Sequence, residues 1–182
     1  QTNWHDTTLT SLAGTYQFSP TNMMLENAVI QTKESVLDVN LRLTYPRGGL
    51  KDFVAKVSLD VDLEPSSIGS SDLKKIIPNW KGDYVEIKGN VDGLVKDLAA
   101  QGVQVSHQST TVGFDGKIKN ILDEETRSLE VDLTIDAAEN TVSIPFGLPA
   151  EVSEFLMRLD DFSTDAKVIL NDKLWNVNAD LV

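Results

Sequence analysis

The chain has 182 residues, 41% of them hydrophobic and 24% charged, so it can bury a core and is not a disordered tail. Sixteen Lys and Arg against 28 Asp and Glu give a formal net charge of −12, which disfavours binding to nucleic acid or to an anionic leaflet. Cysteine is absent, which excludes disulfides, thiol catalysis and thiolate metal sites.

The dominant pattern along the chain has a period of two. Residues 9–18 and 24–31 are weaker strand candidates, and clear alternation runs from Leu37 to Tyr45. After a turn at 46–49, the alternation resumes from Phe53 through Ala55 to Leu63. Such alternation is typical of half-buried antiparallel strands. It returns in residues 85–91, 103–105, 112–118, 129–135, 168–170 and 175–181. The order predicts a meander of roughly nine or ten strands joined by short links.

Two segments have helical character instead. Residues 71–77 begin with a capping residue and an early acid, contain later lysines and stop at Pro78, which predicts a short helix. The second predicted helix starts at Pro149, a residue suited to the first helical position. Its apolar stripe has the spacing of an amphipathic helix and consists of Val152, Phe155, Leu156 and Leu159.

The apolar side of so many strands needs cover, because exposing hundreds of Å² of apolar surface is unfavourable at ~25 cal/mol per Å². A second sheet, closure into a barrel, or a trough filled by side chains, helices or lipid would each provide it. Gly89 and Gly116 on the apolar side allow strong curvature. The alternation alone leaves these three solutions open.

Catalytic and metal-binding motifs are missing from the sequence. His5 and His107 lie far apart without a neighbouring nucleophile, and Asp60 with Asp62 is most simply the solvated side of a strand. Asp160 and Asp161 are adjacent, but Ca²⁺ requires roughly six or more oxygen ligands. We therefore predict no catalytic residues, no cofactor and no metal, and do not expect an enzyme.

Several stretches, taken in order, resemble the TamB branch of the AsmA-like cell-envelope proteins. The resemblance covers about residues 25–135. It is carried by 25–32 leading into the strand at 35–45, by 53–57, by 63–68 before the helix at 71, by 78–82, by 87–98, and by the strand at 110–121 with Phe114-Asp115-Gly116.

This resemblance implies a specific architecture and setting. Members of the family have an elongated sheet of antiparallel strands curled into a taco-like trough with an apolar interior. The full-length protein is anchored in the inner membrane of a Gram-negative bacterium and spans the periplasm. It conducts phospholipid, supports outer-membrane biogenesis and partners an outer-membrane barrel protein. On this reading, residues 1–182 are one elongated β unit, a piece of a longer protein that continues into neighbouring repeats.

The leading interpretation is therefore a mainly β meander with two short helices whose apolar groove holds phospholipid acyl chains. The alternative is a closed β-sandwich with a structural or adhesion role and no ligand. The candidate groove-lining residues are Leu37, Val39, Leu41, Leu43, Val57, Leu59, Val61, Val85, Ile87, Val112, Phe114, Leu129, Val131 and Leu133.

Overall fold

A single antiparallel sheet dominates the structure. The computed structural model describes residues 9–78, 80–120, 126–137, 162–171 and 174–181. The ten strands are β1 (Ser11–Phe18), β2 (Asn22–Gln31), β3 (Val36–Thr44), β4 (Ser58–Gly69), β5 (Tyr84–Leu94), β6 (Asp97–His107), β7 (Thr110–Lys119), β8 (Ser128–Ala137), β9 (Phe162–Asn171) and β10 (Leu174–Leu181).

The strands follow one another across the sheet in chain order, each antiparallel to the next. The sheet is open, with β1 at one edge and β10 at the other. Among the described residues each strand packs mainly against its immediate neighbours, and these strands do not form the second layer of a sandwich. The predicted mainly β meander with short helices is confirmed, and an open sheet is consistent with a trough.

The connection between β3 and β4 corrects one expectation. Phe53 and Ala55 were expected to begin a strand, but they lie in α1 (Phe53–Lys56), which follows a 3-10 turn at Gly49–Asp52. Gly48 adopts a φ of 76° and starts this turn. The chain crosses the end of the sheet here. Two consecutive helical turns form this crossing, because their backbone hydrogen bonds are local and need no partner strand. β4 then begins at Ser58.

The helix predicted at 71–77 is present as α2 (Ser70–Ile76). It follows β4 directly and ends just before Pro78, because proline cannot donate the backbone hydrogen bond that a continuing helix needs. The second predicted helix, from Pro149, lies outside the described residues.

Irregularities interrupt the pairing of three alternate strands, β2, β4 and β6. Each contains one residue more than its neighbours at that point, between Leu25 and Ala28 in β2 and between Leu63 and Ser66 in β4. In β6 the extra residue lies between Ala100 and Val103. Such β-bulges bend a strand and increase its twist, so their recurrence across the sheet introduces curvature.

Two of these bulges have the same construction. Asn27 in β2 has a φ of 50° and Gly102 in β6 a φ of 56°, a left-handed conformation that asparagine and glycine tolerate best. A side chain of the following strand accepts a hydrogen bond from each bulged backbone N–H. Asn40 Oδ1 lies 2.8 Å from Asn27 N, and Asp115 Oδ1 lies 2.6 Å from Gly102 N. Each bulge is thus fixed by its neighbour in the sheet.

Candidate functional site

The candidate site is the apolar face of the sheet, formed by the side chains that share one side across β1 to β8. Residues paired across neighbouring strands point to the same side, so the register shows which side chains belong together. Leu41 pairs with both Leu25 and Val61, and Val61 also pairs with Val91. No Asp, Glu, Lys or Arg occurs among the residues in register on this face in the described part of β1–β8.

Thirteen of the fourteen predicted groove residues lie on strands and belong to this face. They occupy β3 (Leu37, Val39, Leu41, Leu43), β4 (Leu59, Val61), β5 (Val85, Ile87), β7 (Val112, Phe114) and β8 (Leu129, Val131, Leu133). Val57 precedes β4 at the end of α1 and is fully buried, so it closes the end of the sheet instead of lining an open surface.

The list of predicted groove residues contained none from the edge strand β1 and none from two bulged strands of the face, β2 and β6. Their face residues are Met23, Leu25, Ala28 and Ile30 in β2, and Leu98, Ala100, Val103 and Val105 in β6. In each strand the apolar positions switch between odd and even numbers at the bulge. A glycine or asparagine placed at a change of parity inside an alternating run is the signal that could have identified both strands.

Most side chains of the face are only half-buried, although each packs against its neighbours in the sheet. Ala28, Val39, Val85 and Val103 are its buried apolar members. Ala28, Val39 and Val103 lie next to the bulges or in register with the residues that flank them, where the curvature brings side chains together. In β2–β8 the remaining apolar side chains of the face are half-buried.

One end of the face has a cover made by α2 and the segment that follows it. Leu73 and Trp80 pack with Val85 in a buried cluster, and Ile68 and Val105 pack against them. Trp80 is buried and fills this small core. The cover closes one end of the apolar face, which we call the α2 end.

The cover is anchored to the β2–β3 turn through Asp72. The hydroxyls of Thr32 and Ser35 donate hydrogen bonds to Asp72 Oδ2 over 2.5 and 2.6 Å, and Lys75 Nζ lies 3.1 Å from Oδ1. Partial burial raises the pKa of the Asp72 carboxyl, but the hydrogen bonds from Ser35, Thr32 and Lys75 outweigh it, so the net pKa is lowered. The ionised carboxylate thus stabilises the attachment of α2.

His107 anchors the cover from the other side. Its Nδ1–H donates to the carbonyl oxygen of Tyr84 over 2.7 Å, and its ring contacts Trp80 edge to face at a centroid distance of 5.6 Å. His107 is the last residue of β6 and is buried. This setting is that of a packed structural histidine.

The opposite face of the sheet carries the charges. Lys167 Nζ lies 2.7 Å from Glu130 Oε1, which lowers the pKa of Glu130 and raises that of Lys167. Asp60 stands directly opposite Asp92, and Asp115 opposite Asp132, so like charges also meet across strands. This surface is the solvated side of the sheet.

Asp60 and Asp62 lie on this charged face, as expected for a solvated strand. Among the residues that the structure describes, no group of three His, Cys, Asp or Glu could hold a metal ion. Within the same ranges, no helix is long and apolar enough to cross a membrane. His5, Asp160 and Asp161 lie outside the described residues.

Comparison with known proteins identifies no relative. The sequence matches no known protein family, no curated protein resembles it in sequence, and no solved structure matches its fold.

Proposed function

We propose that this chain is a segment of a periplasm-spanning envelope protein whose apolar face forms a groove for phospholipid acyl chains. The observation that carries the proposal is the continuity of that face. Apolar side chains stand in register on one side of eight neighbouring strands, and most of them remain half-exposed. Monomeric soluble proteins rarely leave so extended an apolar surface without a ligand or partner.

The chemistry of the face suits an acyl chain. Each methylene transferred from water to an apolar surface gains about 0.8 kcal/mol, and this attraction has no direction. A ligand held in this way could slide along the groove without breaking specific bonds. The charged face lies on the other side of the sheet, and phospholipid headgroups would remain in water at the open rim.

The wider setting of the proposal follows from the family resemblance. We propose that the full-length protein lies in the periplasm, anchored in the inner membrane, with an outer-membrane barrel protein and neighbouring repeats as partners. Conduction of phospholipid between the membranes would then support outer-membrane biogenesis. The closed sandwich, the alternative reading of the sequence, finds no support in the described strands because they form one open sheet.

The test is native mass spectrometry with lipid extraction on freshly purified protein, comparing the wild type with Leu41→Asp and Val131→Asp. Both residues lie in mid-strand on the apolar face. A carboxylate on an open groove can reach water, so we expect a modest loss of melting temperature together with a clear loss of co-purified phospholipid. In a closed core, an unpaired carboxylate would remove several kcal/mol from a stability of only ~5–15 kcal/mol.

Thr44→Asp in β3 and Thr134→Asp in β8 are matched controls, because both residues are exposed on the charged side of the same strands. They should retain the wild-type lipid content. The proposal is wrong if the wild type carries no lipid and both groove variants unfold.

A further inference from the structure

The outer edge of β1 is the most exposed apolar region that the structure describes. Every residue of β1 is exposed. Leu12, Tyr16 and Phe18 have exposed fractions of 56%, 59% and 64%. Natural edge strands usually carry charges or proline that prevent pairing with another strand, but β1 contains neither. An edge of this kind is open to pairing with a further strand.

The internal organisation of the sheet indicates what that partner is. Asn27 and its acceptor Asn40 recur as Gly102 and Asp115, each 75 residues later along the chain. Gly14 in β1, opposite the bulge of β2, likewise recurs as Gly89 in β5, opposite the bulge of β6. β1–β3 and β5–β7 are therefore equivalent structures, although their sequences differ at most other positions.

The fourth strands are equivalent as well, and here the likeness extends to sequence. Residues 58–63 of β4 read Ser-Leu-Asp-Val-Asp-Leu, and residues 128–133 of β8 read Ser-Leu-Glu-Val-Asp-Leu. The sheet therefore contains two four-strand units, unit 1 (β1–β4) and unit 2 (β5–β8). In the sheet, β9 lies next to the last strand of unit 2, just as β5 lies next to the last strand of unit 1.

The last strand of each unit pairs with the strand that follows the unit, and the two last strands have the same sequence pattern. β4 pairs with β5, and β8 pairs with β9. The first strand of unit 2 is thus covered by a strand that alternates aliphatic and acidic residues. At this junction Ile87 and Val91 are half-buried, whereas the equivalent Leu12 and Tyr16 of β1 are exposed. Among the described strands, β1 has no such covering strand.

We propose that the free edge of β1 binds an antiparallel strand of alternating aliphatic and acidic residues, the last strand of a further unit of this kind. A second copy of this chain does not meet that description, because its β4 and β8 are each paired on both sides. The proposal rests on the proposed function in one respect, the pairing with neighbouring repeats, and does not depend on lipid binding. It specifies the sequence pattern of the partner strand and the edge of this sheet to which that strand binds.

The junction between β4 and β5 fixes the expected register. Leu59 pairs with Gly93 and Val61 with Val91, whose equivalents in β1 are Phe18 and Tyr16. The aliphatic residues of the incoming strand would cover these two exposed rings and extend the apolar face. Its acidic residues would stand opposite Thr15 and Gln17, the equivalents of Asn90 and Asp92, where no charge opposes them.

The test measures binding of a fluorescent peptide with the sequence of residues 58–68 to the purified chain by anisotropy. We expect saturable binding and slower hydrogen exchange in the amides of β1. The double variant Thr15→Glu with Gln17→Glu should bind this peptide roughly tenfold more weakly, because two like-charge pairs then face each other. A peptide with Lys in place of Asp60 and Asp62 should instead bind the double variant more tightly than the wild type.

Thr134→Glu adds the same charge on a distant strand and should leave the affinity for either peptide unchanged. A thermal melt of each variant verifies that the sheet is folded. Absence of saturable binding, equal weakening by Thr134→Glu, or failure of the charge reversal would each overturn the proposal. Self-association of the chain that protects β1 amides would also overturn it, in favour of pairing between copies.

Discussion

Units 1 and 2 have the same order of strands and an equivalent bulge, and the side chains beside that bulge are polar in both units. The apolar residues of the two units differ. Beside each bulge, on the charged face, lies a shallow hollow, of about 450 Å³ in unit 1 and about 350 Å³ in unit 2. Five polar or charged lining residues occupy equivalent positions in the two hollows. Glu26, Asn40, Arg42, Asp60 and Asp62 in unit 1 correspond to Gln101, Asp115, Lys117, Glu130 and Asp132 in unit 2.

On the apolar face the same comparison gives large differences in size. Phe18, Leu25 and Leu41 of unit 1 correspond to Gly93, Ala100 and Gly116 of unit 2. A bulge requires defined hydrogen-bond partners, because an unsatisfied backbone group is costly. An open apolar surface requires only that its residues be apolar. The two units therefore differ most where packing constrains them least.

The units also differ in how they hold the cover at the α2 end. The β2–β3 turn of unit 1 binds Asp72 through Thr32 and Ser35. At the equivalent turn of unit 2, His107 contacts Trp80 and Tyr84. The cover thus joins the two units, with an ionic attachment on one side and an aromatic one on the other.

The largest effect is expected at the bulge of unit 2. Gly89 has a φ of 135°, and a Cβ there would lie 2.5 Å from Val103 Cα. We expect Gly89→Ala to lower the free energy of unfolding by about 2–4 kcal/mol, combining backbone strain with overpacking. Denaturant unfolding measures this loss. Gly102→Ala is the control: it has a φ of 56° but no atom within 4 Å of its Cβ, so only the strain, about 1–2 kcal/mol, should remain. Equal losses would show that crowding at Gly89 is unimportant.

A smaller effect is expected at the ionic attachment of unit 1. The pKa of Asp72 is lowered in the folded state, so its contribution is present above its unfolded pKa of about 3.9 and is lost as the pH falls through the folded value. Asp72→Asn should therefore reduce stability by about 1–2 kcal/mol at pH 7, and the difference from wild type should shrink below about pH 4. Unfolding curves across this pH range measure it. Asp52→Asn, at an exposed carboxylate, should show little difference at any pH. A pH-independent difference would contradict the ionic role.

The smallest effect is expected where one unit is made to resemble the other. Gly102→Asn places in β6 the residue that unit 1 has at its own bulge, where Asn27 holds a φ of 50°. Asparagine accepts this conformation, so we expect stability to change by no more than about 0.5 kcal/mol. Gly102→Val is the matched comparison, because a β-branched residue is strongly disfavoured at positive φ. If both substitutions cost the same, the two bulges are not equivalent.

Strict alternation made the strands of the two units predictable to different degrees. In β3, β4, β7 and β8 the apolar residues keep one parity through most of the strand. The sequence predicted both these strands and their contribution to the apolar face. In β2 and β6 the bulges at Asn27 and Gly102 reverse the parity, and their contribution to the face was missed. Local periodicity reports one strand at a time, whereas a bulge is defined by the strand beside it.

The remaining errors have similar causes. Phe53 and Ala55 alternate with polar residues, but so short a run does not distinguish a strand from a single helical turn. The cover at the α2 end depends on contacts between Trp80, Leu73 and Val85, which are set by the path of the chain around the end of the sheet. Only the three-dimensional arrangement reveals such contacts.

The chain-order topology of the sheet has a mechanical consequence. Each described strand pairs only with its sequence neighbours, so the stability that comes from strand pairing is a sum of nearest-neighbour terms, as in repeat proteins. A force applied between β1 and β10 would load one strand pair at a time and open the sheet like a zipper. Force spectroscopy should therefore record a series of small steps that begin at the edges. A protein with this strand order would therefore lengthen in small increments under tension instead of unfolding in a single event.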